Sequence, residues 1–264
     1  MTFPQSDRVI FHQNPLEEVI CQLKFPTILE ISAERPAKFQ NKIRGDYPLY
    51  EADQPTFPKE LEELVSGLPI PKSAEGVTYK FIAPDGSKVV SLGSEFVAFI
   101  DTKYVRWEKF LREINRAQEA LEEIYKPAFY TRIGLRYRDI IDREKLGIAN
   151  EPWESLLKPS LLGLLGAQDN VGRHVDQIKT EASIRIEEVP GARATIRHGI
   201  GRRINNNKEV YIIDIDLYTP ERSISQDVSE ILRRFNQLTG NFFRWAITSR
   251  LRDVLEPREL RPED

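Results

Sequence analysis

The chain is poor in the residues that most often carry chemistry. Its 264 residues include one cysteine, one methionine and three histidines. A lone Cys21 cannot close an internal disulfide or build a thiolate cage for zinc, and scattered His12, His174 and His198 do not replace it. No run of about 18 apolar residues occurs, so nothing reads as a membrane span. The opening MTFPQSDRVIFHQNP puts an acid and a base where a signal peptide needs its apolar core. A cytoplasmic protein is the expectation. A charge excess is lacking too: the net charge of −3 argues against a strong, non-specific nucleic-acid binder.

Motifs with an established mechanism are also missing. There is no G-x-x-x-x-G-K-[ST] to cradle phosphates, no H-E-x-x-H, no G-x-S-x-G and no G-x-G-x-x-G after a strand. No catalytic residue, metal ligand or cofactor is therefore assigned, and an enzyme is not the favoured reading. His198 shares an apolar strand face with Ile196 and Ile200, where a core or edge histidine is expected. Asp214 and Asp216 form a D-x-D pair that two-metal enzymes use, but any strand with one polar face gives the same pattern.

Arginine is plentiful. Beyond residue 128 the chain has 18 Arg and 4 Lys, against 6 Arg and 10 Lys before it. The planar guanidinium suits carboxylate or phosphate, and the accompanying acids make internal pairing one use for it. The clearest case is YTRIGLRYRDII, residues 130–141. Thr131, Ile133, Leu135 and Tyr137 alternate with Arg132, Gly134, Arg136 and Arg138, which gives a strand with an apolar side and an arginine side.

Elsewhere the period assigns further elements. NPLEEVICQLKFPTI is a strand with Val19, Cys21, Leu23 and Phe25 on one face. ERPAKFQNKIRGDYPLY is a short helix, and FPKELEELVSGL a second. A hairpin follows, turning at Pro84-Asp85-Gly86. Residues 105–125 form a helix with Trp107, Phe110, Leu111, Ile114, Ala117, Leu121 and Ile124 as its stripe. After the arginine strand come the leucine-rich PWESLLKPSLLGLLG, interrupted by Pro159, and three strands, EASIRIEEV, ARATIRHGI and EVYIIDIDLYT. A helix over residues 223–251 closes the chain, with capping-box spacing at Ser223 and Gln226.

The order β-α-β-β-α thus occurs twice, with an extra strand in the second copy. The fold expected is α+β: two fused half-barrel modules, residues 1–128 and 129–264, with antiparallel sheets and long amphipathic helices. NPLEEVICQLKFPTI, the central Arg132, Gly134, Leu135, Arg136 and Tyr137, and the tail RRFNQLTGNFFRWAITSRLRDVLEP together resemble a sporadically distributed family of uncharacterised prokaryotic proteins. The likeness covers nearly the whole chain; Arg138-Asp139 stands where that family often has asparagine. The resemblance implies an accessory role on mobile or defence-linked loci.

Three uses of the arginine face stay open. It can be an internal salt-bridge network with Arg185, Arg193 and Arg197 meeting Glu187, Asp214 and Asp216. It can be an anion or RNA site built from Arg132, Arg136, Arg138 and Tyr137, or a site for a protein partner. The expected function is non-enzymatic binding of a partner or small anionic ligand, with RNA binding or processing as the alternative. No membrane association is expected, and the chain should be a monomer or weak dimer.

Overall fold

Alternating strand patterns and three-to-four-residue helical steps recur in the chain, and each builds the element its period dictates. The computed structural model describes residues 2–53, 77–167, 171–203, 206–220, 222 and 227–259. The expected helix FPKELEELVSGL, together with Ser223 and Gln226, lies outside them. In chain order the elements are β1 Val9–Phe11, β2 Leu16–Lys24, α1 Leu29–Ala33, α2 Ala37–Ile43, β3 Leu49–Asp53, β4 Thr78–Ile82, β5 Lys88–Gly93, β6 Phe96–Asp101 and α3 Trp107–Tyr125. They continue with β7 Arg132–Ile141, α4 Trp153–Leu156, α5 Pro159–Leu162, β8 Thr180–Arg185, β9 Arg193–Arg202, β10 Glu209–Tyr218, α6 Val228–Ala246, α7 Ser249–Val254 and β11 Pro257–Glu259. Nine strands form one sheet in the order β3-β4-β5-β6-β2-β7-β10-β9-β8, and β1 pairs with β11. The fold is α+β with a large antiparallel sheet. Among the described residues no helix is long and apolar enough to cross a membrane.

The chain divides into two compact units. One holds Glu18–Arg136 and Tyr218–Leu232. Its sheet register lines up Cys21, Phe99, Val90, Phe81 and Tyr50 as direct neighbours across five strands. The helices cover this row: Phe39 packs on Phe81 at 5.5 Å, and Phe110 on Phe99 at 5.1 Å. Burying such an aromatic contributes about 1.5–3 kcal/mol, so this row anchors the unit. The expected stripe of α3 is largely the buried one, with Trp107, Phe110, Ile114, Ala117 and Leu121 inside.

The Pro84-Asp85-Gly86 turn forms as read: Gly86 has φ +71, and the Ser87 hydroxyl donates to Asp85 Oδ1 at 2.7 Å. The run after it, expected to be one strand, is two. A tight turn at Ser94-Glu95 separates β5 from β6, with Gly93 against the Phe96 ring, where an added Cβ would lie 2.5 Å away.

The other unit holds residues 1–17, Tyr137–Leu217 and Arg233–Asp264. The N-terminal stretch around His12 is ordered by pairing: Val9 stands opposite Glu259 and Phe11 opposite Pro257. Phe3 and Phe11 add ring contacts to Phe242 and Phe243 of α6. The closing helix is broken. It stops at Ala246, and Thr248 starts α7 by accepting the Leu251 N–H at 3.3 Å while donating to the Ser155 carbonyl at 2.6 Å. That side chain competes for backbone groups, which the apolar period alone does not reveal. In the leucine-rich piece Leu156, Leu157, Leu161, Leu162 and Leu165 are buried, and Leu164 is exposed.

Candidate functional site

The arginine strand does not present one open arginine face. Arg132, at its start, is partly exposed and folds back along the strand. Its Nη1 donates to Gln22 Oε1 at 3.0 Å, and its guanidinium carbon lies 5.0 Å from the Tyr218 ring centroid. Gly134 makes room for it: a Cβ there would come within 2.0 Å of Arg132 Nη1. The R-x-G spacing thus gives the Arg132 guanidinium room to lie over Gly134. Gly134→Ala should cost about 1 kcal/mol by displacing this cation–π and hydrogen-bonded arrangement. In chemical denaturation the cost should largely vanish in an Arg132→Ala background; additive losses would contradict the steric account.

Arg136 and Arg138 are both only 6% exposed, and both are engaged in polar or electrostatic contacts. Tyr137 is buried, and its hydroxyl donates to Asn236 Oδ1 at 2.8 Å. Of the four residues read as a ligand site, three therefore lie in the interior. Asp214 and Asp216 are buried as well. Arg197 lies between Glu181, at 2.6 Å, and Asp214, at 3.8 Å, so it meets one of its expected partners. Arg185 does not follow that scheme, since the register sets it directly opposite Arg193.

Asp139, on the same strand, has no sequence signal of its own. It is 6% exposed, and burial, with a smaller push from Asp214, raises its carboxyl to about 8. His198 is half-buried: its ring stacks on Tyr211 and Nδ1 lies 2.8 Å from the Tyr211 hydroxyl. That hydroxyl has one proton and donates it to the Leu161 carbonyl at 2.5 Å, so Nδ1 is the donor to the tyrosine oxygen. Burial holds His198 below its ordinary value, which favours the neutral ring.

Beyond the end of β7 the chain forms a cleft of about 430 Å³ lined by Glu17, Asp142, Glu144, Lys145, Arg203, Asn206 and Lys208. Segments distant in sequence meet here because β2, β7, β9 and β10 start or end at the same place. Asp142 Oδ1 accepts the backbone N–H groups of Glu144 and Lys145, both at 3.1 Å, and Oδ2 lies 3.4 Å from Arg203 Nε. Arg203 also pairs with Glu17, which raises its pKa, and Lys208 is raised by pairing with Glu144. At Asn206 the Lys208 N–H donates to Oδ1 at 3.0 Å, and Asn207 has φ +56. Asn tolerates that left-handed backbone better than most residues.

Charges in the cleft balance in number, but their pairing is uneven. Arg203 serves two acids and Lys208 one, while the ammonium of exposed Lys145 joins no ion pair among the described residues. The cleft therefore offers a cation with spare donors on a hydrogen-bonded loop frame. No motif or spacing in the sequence singles out these residues. Among the described residues no group of three His, Cys, Asp or Glu is placed to hold a metal ion. Compared with known proteins, the chain matches no family model and no curated protein.

Proposed function

We propose that the protein is a non-enzymatic binding protein that takes a small ligand with an anionic group in the cleft beyond β7. The observation that carries this reading is Lys145, a cation without an acidic partner among the described residues, in a cleft whose other charges are tied to one another. The volume suits a small molecule, because ligand clefts commonly measure about 300–1,000 Å³. The lysine ammonium contributes donors for a carboxylate or phosphate, and the Arg203 and Lys208 pairs hold the walls in place. Two fused half-barrel modules, and an accessory role in a prokaryotic system as the family resemblance implies, complete the proposal.

A thermal-shift and calorimetric panel of small carboxylates and phosphates tests it. A ligand should bind the wild type and lose about tenfold or more in affinity in Lys145→Ala, as expected when a charge-assisted contact worth about 1.5–3 kcal/mol is removed. Binding unaffected by that substitution, or turnover of a bound compound, would overturn it. RNA binding is a second reading, favoured by the partly exposed Arg132 lying on Tyr218. It requires filter retention of single strands that falls with salt and with Arg132→Ala.

A further inference from the structure

β8 terminates the nine-stranded sheet, and among the described residues no strand pairs with its outer side. Thr180, Glu181, Ala182, Ser183 and Arg185 are exposed along it. The hydrogen-bond parity identifies which backbone groups face outward. The Ile186 N–H donates to the Ala192 carbonyl at 2.9 Å, next to the opposed pair Arg185 and Arg193. Antiparallel ladders bond alternate residues, so Thr180, Ala182 and Ile184 bond to β9. The N–H and C=O groups of Glu181, Ser183 and Arg185 point away from the sheet. An edge of this kind must be covered, charged or paired.

The side chains of those outward residues follow an order that matters. Glu181 and Arg185 are opposite in sign and equally spaced about Ser183, and Lys179 and Glu187 continue the same antisymmetry. Within the chain the charges are unevenly served. Glu181 pairs with Arg197, but Arg185 faces Arg193, and neither of these two arginines has an ion pair among the described residues. Like charges directly opposite in a sheet are destabilising, and an incoming carboxylate would relieve them.

We propose that β8 is a self-association edge, pairing antiparallel with β8 of a second copy about a two-fold axis at Ser183. That register matches all six outward backbone groups of each copy, through Ser183 with its symmetry mate and Glu181 with the other copy's Arg185. Each Arg185 then faces a carboxylate. The neighbouring registers lack this match. Centring on Ala182 sets Arg185 against Lys179, centring on Ile184 sets Glu181 against Glu187, and centring on Glu181 or Arg185 opposes identical charges. Only one strand per copy takes part, so the complex is small and its population depends on concentration.

Sedimentation velocity over a wide concentration range tests the edge. Wild-type protein should show a monomer–dimer equilibrium, and Arg185→Glu should weaken it about tenfold or more. The same substitution gives Arg193 an acidic neighbour within the chain, so the thermal midpoint should not fall. Ser183→Pro removes the central outward N–H, a change that edge strands tolerate, and should also abolish the dimer. The double exchange Glu181→Arg with Arg185→Glu should restore association. Amide exchange should slow with concentration at Glu181, Ser183 and Arg185, while Ala182 and Ile184 stay constant. A strictly monomeric wild type, a dimer indifferent to Arg185→Glu and Ser183→Pro, or failure of the double exchange to restore it would overturn the proposal.

Discussion

Asp139→Asn should stabilise the protein at neutral and alkaline pH, by roughly 4–6 kcal/mol at most. Burial, with Asp214 adding to it, raises the folded-state carboxyl to about 8, whereas an unfolded aspartate titrates near 3.9. Between those values the folded chain holds a proton that the unfolded chain has released. Each pH unit in that window is worth about 1.4 kcal/mol, and the sign follows from linkage. The contribution of Asp139 is fully present below about pH 4 and is lost as pH rises through 8. An amide stays neutral throughout and does not lose it. Urea denaturation of both proteins at several pH values should give curves that meet in acid and separate as pH increases. A destabilised variant at pH 7 would mean that the carboxylate is stabilised in place, contrary to this account.

The second large effect concerns the arginines. Arg136→Ala and Arg138→Ala should each lower stability by about 3–5 kcal/mol, because each side chain is buried and engaged, and truncating it strands interior polar groups. Arg132→Ala, at a partly exposed position, should cost about 1 kcal/mol. The strand runs on to Ile141 and buries both equally, so their costs should be similar. Thermal melts compare the three variants directly. A neutral or raised midpoint for Arg136→Ala or Arg138→Ala would favour a site in which like charges repel one another.

Local patterns made much of this architecture legible. Alternation located β2, β7, β8, β9 and β10, and helical periodicity located α3 and most of α6, because each signal lies within one short window. The N-terminal β1 and the distant β11 are three residues each and gain meaning only by pairing with one another. β3 is short, with exposed Leu49 and Tyr50, and has little alternation to read. Two-faced burial of β7 has no signature in the sequence, because arginine usually marks a solvated side. The cleft was the least visible feature. Glu17, Asp142, Lys145 and Arg203 are brought together by sheet order, and no spacing within the chain announces them.

A chemical-shift titration of the backbone amides with inorganic phosphate tests the central claim, that the binding site is the cleft and not the arginine strand. The account predicts shifts at Glu144, Lys145, Asn206 and Lys208 that saturate together and disappear in Lys145→Ala, with Arg132 to Arg138 unmoved. Saturating shifts along Arg132 to Arg138 while the cleft amides stay still would contradict it.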